Sequence, residues 1–212
     1  MTALTKEALY AALCARHGEE LQQKFAAGAV AVCGLGGLGS NIAIALARAG
    51  VGHIRIIDFD RVDISNLNRQ QYFPAQLGMY KTDALGDTLR EIGLCSEITA
   101  DCVRLTPENI PVLLKDADII CEAFDRADQK AMLVNTVLEQ LPDKILVSGS
   151  GMAGLGSPNT IRTRKIAKNF YLSGDGESDS GSGPGLISAR VAVCAAHQAT
   201  TVLRLLAGET EP

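Results

Sequence analysis

The feature that most constrains the fold is a run of glycines between a short apolar segment and a helical pattern. Residues 29–33 read AVAVC, a β-rich run, and GLGGLGSN follows directly before the helical pattern. Glycines spaced G-x-G-x-x-G make a tight turn, and the free N–H groups at the start of the following helix attract phosphate. The segment therefore predicts a nucleotide site, against the alternative of a turn used only for packing. The candidate residues are Gly34, Gly36, Gly37 and Gly39, with Ser40 and Asn41 as further donors.

Apolar strand patterns alternate with helical patterns along the rest of the chain. An amphipathic helix is expected over residues 5–26, and HIRIID, EITADCVRL, ADIICEAFD and KILVSGSG read as strands separated by helices. This alternation predicts right-handed βαβ units, and near-continuous apolar strands are typical of a sheet covered on both faces. The predicted fold class is α/β: a Rossmann-like, doubly wound, mainly parallel sheet with helices on both faces and an extra C-terminal strand and helix.

The C-terminal part of the chain differs in composition from the core. NTIRTRKI predicts a more exposed strand, and a final apolar helix is expected over residues 187–207. Residues 173–185, SGDGESDSGSGPG, are too poor in apolar side chains to bury themselves, so we expect a flexible loop, either a lid or a plain insertion. A single domain over residues 1–212 would contain a nucleotide-binding core, 28–150, and a C-terminal extension, 151–212.

Composition excludes several functional classes. The net charge of −4 and the pI near 5.4 give no general attraction to nucleic acid. The sequence has no stretch of about 18 consecutive apolar residues, so no membrane span is predicted. The N-terminus carries charges within its apolar stretch, unlike a signal peptide. The six cysteines contain no CxxC pair, which favours buried thiols in a reducing compartment. We therefore expect a cytoplasmic protein.

A second motif, IIDFDRVDISNLNRQ, follows the second strand. Asp58 ends that strand 19 residues after Gly39 (58 − 39 = 19), a position from which a carboxylate accepts hydrogen bonds from ribose. Fixed cations downstream suit phosphate chemistry better than hydride transfer. Asp125 ends the fourth strand and is a natural ligand for Mg²⁺ beside a triphosphate, or else a helix cap. The other candidate site residues are Asp60, to which no particular role is assigned, and Asn66, Arg69, Gln70 and Lys81. If Lys81 is considered without the rest of the motif, the alternative is a solvated residue on the surface of a helix.

The segments GLGGLGSNIA, IIDFDRVDISNLNRQ, GMYKTDA and EAFDRADQK resemble the ThiF/HesA/MoeB family of ubiquitin-activating-enzyme-like adenylyltransferases. The resemblance runs from about Val30 to Ala207, and the short length looks most like the small ThiF branch linked to thiamine biosynthesis. It implies ATP and Mg²⁺ as cofactors and adenylation of the C-terminal Gly-Gly carboxylate of a small ubiquitin-fold sulfur carrier. It also implies a homodimer in which an N-terminal arginine, here Arg16, reaches the ATP of the partner subunit.

This chain departs from the family pattern at two points. Many members carry two CxxC pairs that bind structural zinc, and this sequence has none, so no zinc is expected. Some members carry a cysteine in the loop that corresponds to residues 173–185, and that loop has no cysteine here. A thioester or acyl-disulfide step by this chain is therefore not expected.

Three other functions remain open at the level of sequence. Relatives in the family activate a carboxylate on tRNA, and RTRKIAKNF holds four basic residues, although the net charge argues against nucleic acid. An NAD(P)-dependent oxidoreductase would share the glycine motif but leaves Arg69, Lys81 and Asp125 without roles. A module that binds ATP without catalysis is the third.

Overall fold

The computed structural model describes residues 4–179, 181 and 183–212. They form a seven-stranded sheet in the order β3–β2–β1–β4–β5–β7–β6, in which only the β6–β7 pair is antiparallel. This confirms the predicted α/β class with a mainly parallel sheet. The strands are β1 (Ala29–Cys33), β2 (His53–Asp58), β3 (Glu97–Cys102), β4 (Ile119–Glu122), β5 (Ile145–Gly149), β6 (Arg162–Ala167) and β7 (Phe170–Gly174).

Helices cover both faces of the sheet, as predicted. Successive side chains of a strand point to opposite faces, so Val32 belongs to one buried cluster and Cys33 to the other. The third, fourth and seventh helices pack on the face of Val32, and the fifth and sixth on the face of Cys33. The helices are α1 (Lys6–His17), α2 (Glu19–Ala27), α3 (Gly37–Ala49), α4 (Lys81–Ile92), α5 (Ile110–Leu114), α6 (Ala127–Gln140) and α7 (Ser188–Ala207), with short 3-10 helices at Ile64–Asn66, Pro74–Gln76 and Pro158–Thr160.

The order of the strands reverses between β1 and β4. The chain steps from β1 outward to β2 and β3, then returns to β4 on the other side of β1. Ligands of open α/β sheets bind at such a reversal, beside the carboxyl ends of the strands. The segments that follow β1 and β4 touch there, because the Ala123 N–H donates to the Cys33 carbonyl (2.9 Å). The glycine turn and Asp125 are therefore neighbours.

Two predicted elements differ from the structure. The single helix expected over residues 5–26 is wrong, because Gly18 has φ +85° and ψ 144° and separates α1 from α2. No helix continues through that backbone conformation. The expectation that each strand is covered on both faces is wrong for β3, which is an edge strand with mostly exposed residues.

The C-terminal extension completes the sheet. The exposed strand predicted from NTIRTRKI is β6, at the far edge, but the sequence reading missed β7. Ser173 and Gly174 end β7 and are buried, so the predicted start of the flexible loop at residue 173 is wrong. Residues 180 and 182 of that loop lie outside the described residues. No helix in the described part of the chain is long and apolar enough to span a membrane.

Candidate functional site

The glycine turn is shaped by close contacts at two of its glycines and open space at a third. Gly34 has φ +91°, and a Cβ there would lie 2.8 Å from Cδ1 of Phe124. A Cβ on Gly39 would lie only 1.8 Å from the Gly34 carbonyl oxygen. A Cβ on Gly36 would meet nothing nearer than Nε2 of Gln70, at 3.8 Å. Gly36 therefore leaves the backbone at the start of α3 open to a ligand.

A cleft of about 690 Å³ lies over this turn, at the carboxyl ends of the strands. That volume lies in the usual range for sites that bind a small molecule or cofactor. One wall comes from the segment between β2 and α4, and the opposite wall from residues 149–153 after β5. The predicted site residues that line the cleft are Gly34, Gly36, Gly37, Asp58, Asp60, Asn66, Arg69, Gln70, Lys81 and Asp125.

Asp58 joins the second strand to the glycine turn. Its Oδ2 accepts from the Leu35 N–H (2.6 Å) and its Oδ1 from the Asp60 N–H (2.8 Å). Below it, the hydroxyl of Tyr72 donates to the Leu35 carbonyl (2.8 Å), and burial, with the nearby Asp58 and Asp60 carboxylates, raises the pKa of Tyr72 far above its usual range. Each carboxylate oxygen can accept a second hydrogen bond, so Asp58 still has capacity for ribose hydroxyls.

Two buried polar atoms in the loop after β2 lack partners. Nε of Arg69 and Oε1 of Gln70 are buried and have no hydrogen-bond partner among the described residues. Nη1 of Arg69 is held by the Ser65 carbonyl (2.9 Å) and by Oδ1 of Asn68 (2.8 Å), which fixes the guanidinium beside the cleft. Asn66 supports the same loop by accepting from the Asp63 N–H (3.1 Å). Unpaired buried polar atoms carry a desolvation penalty that a polar ligand would remove.

Lys81 is a buried cation at the start of α4. Its side chain is only 8% exposed, and Nζ lies 3.2 Å from Oδ2 of Asp60, whose side chain is 52% exposed. The Lys81 N–H also donates to the Asp60 carbonyl (2.9 Å). A solvated helix residue would not be buried in this way, so that alternative is wrong. Asp60 therefore has a structural role, because its ion pair with Lys81 holds that side chain at the cleft.

Asp125 is exposed at the edge of the cleft that faces the glycine turn. It does not cap α6, because the N-cap is Arg126 and makes no side-chain capping bond. No group of three or more His, Cys, Asp or Glu side chains in the described ranges is placed to hold a metal ion. A Mg²⁺ ion at Asp125 would fit only with phosphate oxygens and water as its other ligands, which is common for Mg²⁺ beside nucleotides.

The cleft wall at residues 149–153 is stabilised by a buried ion pair between α7 and the loop after β7. Nη2 of Arg190 contacts Oδ2 of Asp175 at 2.5 Å, and both side chains are about nine-tenths buried. Arg190 also donates to the carbonyls of Ala153 (3.0 Å), Gly156 (2.7 Å) and Ser157 (2.8 Å). The pair therefore joins the loop after β5, the loop after β7 and α7 into one unit.

Ser40 and Asn41 make other contacts than expected, whereas the position of Arg16 leaves its expected role in a partner subunit open. Ser40 and Asn41 were expected as phosphate donors, but their side chains bond to the carbonyls of Gly36 (2.7 Å) and Gly37 (2.7 Å) respectively, so this expectation is wrong. Both also bridge to the loop of Arg69, which they keep close to the turn. Arg16 is exposed on α1, which packs at the amino ends of β2 and β3, away from the cleft of its own chain.

The sequence reading missed several residues of the site. Lys130 and Arg104 line the cleft, and the guanidinium of Arg104 lies 4.1 Å from the ring centre of Phe59, directly after Asp58. Arg190 lies outside the quoted motifs, and the buried Glu122 is the first residue of EAFDRADQK. A charged residue within an apolar strand pattern, as Glu122 is in IICEAF, was the available signal.

Comparison with known proteins now decides the family. A family model described as "ThiF family" matches residues 10–212. The chain belongs to the ThiF family. This confirms the predicted resemblance, and the segments that carried it supply the glycine turn, the cleft wall between β2 and α4, and the turn after β4.

The ThiF-family chain is similar to curated proteins of different names. It is 36% identical over 136 residues to "Adenylyltransferase and sulfurtransferase MOCS3" of Culex quinquefasciatus, a match that covers 64% of this chain and 31% of that protein. It is 32% identical over 157 residues to "tRNA threonylcarbamoyladenosine dehydratase" of Escherichia coli K12, covering 73% of this chain and 58% of that one. The chain thus spans about a third of the length of the first relatives that it matches.

Solved structures share the fold of this ThiF-family chain. The E. coli tRNA N6-threonylcarbamoyladenosine dehydratase TcdA in complex with ATP superimposes with a TM-score of 0.84 at 23% identity, covering 94% of this chain and 93% of that one. E. coli MccB with AMPCPP and MccA gives 0.72 at 20% identity, covering 91% and 60%. At these identities the likeness establishes the fold.

Proposed function

We propose that this chain is an ATP- and Mg²⁺-dependent adenylyltransferase that activates a carboxylate. The observation that carries the proposal is the single cleft in which the open glycine turn, Asp58, the buried Lys81 and the unpaired Nε of Arg69 face one another. Nucleotide-bound structures of the same fold support ATP as the ligand. A nicotinamide cofactor would leave Arg69, Lys81 and Asp125 without roles, which disfavours the oxidoreductase alternative.

The proposed reaction needs no general base. A carboxylate oxygen of the acceptor attacks the α-phosphorus of ATP, a new P–O bond forms, and the bond to the β-phosphate bridge breaks to release pyrophosphate. The attacking carboxylate is already ionised, so no proton is moved. Arg69 and Lys81 would stabilise the charge that develops on the phosphate oxygens, and the cleft would hold the reactants in line.

The acceptor that we propose is the C-terminal Gly-Gly carboxylate of a small ubiquitin-fold sulfur carrier of the thiamine-biosynthesis type. The relatives named "Adenylyltransferase and sulfurtransferase" support this class of acceptor. Gly149 and Gly151 also line the cleft, so two residues without side chains lie on the side where a narrow peptide tail would enter.

The test is carrier-dependent exchange of pyrophosphate into ATP. Wild type should exchange with a Gly-Gly-ended carrier and Mg²⁺, and should not exchange with the same carrier lacking its last residue. Lys81→Ala and Arg69→Ala should each lower the rate by about 10²-fold, in the range found for loss of one transition-state contact. Lys24→Ala, on a surface ion pair of α2, is the matched control. Absence of exchange in wild type, or unchanged rates in both variants, would refute the proposal.

A second acceptor is supported by a specific observation. The E. coli relative is named as a tRNA dehydratase, and β6 presents Arg162, Arg164 and Lys165 as exposed residues on an edge strand. A carboxylate on modified tRNA would then replace the protein tail in the same reaction. Binding of tRNA that weakens steeply as salt rises from 50 to 200 mM, approximate limits of the usual range, would favour this acceptor. No binding at the lower salt concentration would exclude it.

A further inference from the structure

The carboxylate of Glu122 lies at the end of β4, directly beneath the cleft, and is completely buried. Nζ of Lys130, on α6, approaches its Oε2 to 2.7 Å, and the hydroxyl of Ser148 on β5 donates to the same oxygen. The Lys130 side chain is 22% exposed and lines the cleft. The pair thus connects two strands and a helix at the point where the strand order reverses.

The two members of the pair hold the same residue of the turn between β4 and α6. Oε1 of Glu122 accepts from the Phe124 N–H (2.7 Å), and Nζ of Lys130 donates to the Phe124 carbonyl (3.0 Å). Both backbone polar groups of Phe124 are therefore bound to one ion pair. The peptide bond that leads into Asp125 cannot rotate without breaking the bond to Lys130.

Phe124 also touches the other side of the site. Cδ1 of its ring lies 2.8 Å from the position that a Cβ on Gly34 would take, so the turn after β4 packs directly on the glycine turn. Movement of Phe124 would change the separation between the glycine turn and the carboxylate of Asp125. That separation sets whether a phosphate on the turn and a metal ion at Asp125 can meet.

We propose that Glu122 and Lys130 form a positioning pair that holds Asp125 in register with the glycine turn for binding of metal–nucleotide. The inference rests on the proposed function, which gives Asp125 to Mg²⁺. Packing alone does not require the pair, because well-packed apolar side chains of similar volume stabilise a protein as well as a buried ion pair does. Residues that orient a metal ligand from behind typically change metal affinity by about 10- to 100-fold when they are replaced.

The test measures metal binding rather than turnover. The double variant Glu122→Gln/Lys130→Met removes both charges and so leaves no unpaired buried charge. Affinity for AMPCPP is measured by calorimetry in EDTA and over a Mg²⁺ series, with Mn²⁺ binding followed by electron paramagnetic resonance. We expect the affinity of the double variant for AMPCPP in EDTA to stay within about twofold of wild type. Its affinity for Mg²⁺ and Mn²⁺ should fall by about tenfold or more, as should that of Asp125→Asn. Lys24→Met, from a surface pair, is the control.

Each outcome decides one of two questions. A folded double variant with the metal dependence of wild type overturns the positioning role, while a shift in Asp125→Asn preserves the proposed function. An unchanged Asp125→Asn variant refutes the metal role of Asp125, and the positioning role with it. If the double variant does not fold, Ser148→Ala loosens Glu122 without exposing a charge. A metal affinity of Ser148→Ala that equals that of wild type then overturns the inference.

Discussion

Gly36 and Gly39 lie three residues apart in one turn, yet they serve different purposes. Gly39 is needed for packing, because α3 passes within contact distance of the Gly34 carbonyl and leaves no room for a Cβ. The space beside Gly36 is open, and Gly36 lines the cleft. We propose that the motif combines a requirement of the fold with a requirement of the ligand, and substitution can separate the two.

We expect alanine at these two positions to give opposite phenotypes. Gly39→Ala should lower the free energy of unfolding by about 1–3 kcal/mol or more, because the added methyl overlaps backbone. Gly36→Ala should change it by less than about 1 kcal/mol but weaken ATP binding by roughly tenfold, since the methyl occupies the path of the phosphate. Urea denaturation and calorimetric titration with ATP measure the two effects. Equal loss of stability in both variants would contradict this division of roles.

At the scale of elements, the wall opposite the nucleotide motifs depends on α7. Arg190 and Asp175 tie two loops to this helix, and Asp175 also accepts from the N–H groups of Glu177 and Ser178. Burial raises the pKa of Asp175, but the hydrogen bonds from Ser178, Glu177 and Arg190 lower it by more, so the net pKa lies well below its usual range. The segment that the sequence suggested to be a flexible loop is therefore anchored at its start.

The ion pair predicts a pH dependence of stability. A carboxyl whose pKa is lowered in the folded state stabilises that state above its unfolded pKa, near 3.9, and this contribution is lost as pH falls through the folded value. Asp175→Asn should lower the free energy of unfolding by about 3 kcal/mol at pH 7. The difference from wild type should shrink at about pH 3, below the unfolded pKa. Asp87→Asn, which removes the exposed pair with Arg90, is the control. If Asp175→Asn differed from wild type by the same free energy at both pH values, the expectation would be contradicted.

At the scale of the whole molecule, the buried thiols should limit stability at alkaline pH. Burial raises the pKa of Cys121 to about 12 and that of Cys194 to about 12, and raises the pKa of Cys33 well above its usual value. The unfolded chain loses these protons near pH 8.5, whereas the folded chain keeps them, so the stabilisation present below that pH is lost as pH rises toward the folded pKa.

Above pH 9, we expect the free energy of unfolding to fall by about 1.4 kcal/mol per pH unit for each of these thiols. Guanidinium denaturation at a series of alkaline pH values measures the slope. Cys194→Ala should be less stable at neutral pH through lost packing, but its slope should be shallower by one thiol. A slope identical to that of wild type would show that Cys194 ionises equally in both states. Cys102, which is exposed, provides the control position.

The predicted homodimer has a test of its own. Arg16 lies at the amino ends of the strands of its own chain, so it can reach an ATP only in a partner subunit. Mixed Arg16→Ala and Lys81→Ala subunits should recover roughly a quarter of wild-type exchange, because half of the dimers are hybrids with one intact site. Each variant alone should exchange at about a hundredth of the wild-type rate. Failure of mixing to restore exchange, with hybrid dimers demonstrated by mass spectrometry, would refute a trans role for Arg16.

The fold class, the order of the central elements and the motif residues that line one side of the cleft follow from local sequence patterns. Apolar periodicity and the glycine spacing are local properties, and they placed β1, β2, α3 and α4 within a few residues of their observed bounds. The motif residues from Asp58 to Lys81 meet in space because parallel strands bring their carboxyl ends to one edge. Their roles in binding and catalysis stay predictions.

The hydrogen-bond and ion-pair partners of the polar residues depend on tertiary packing. Ser40 and Asn41 bind backbone rather than face the cleft, and Lys81 is buried against Asp60. The pairs Glu122–Lys130 and Asp175–Arg190 join different elements, and β7 forms only beside β5. Such contacts depend on how elements pack, and no local pattern encodes the distance between two side chains on separate elements. The cleft wall at residues 149–153 therefore depends on contacts between segments that are far apart in the sequence.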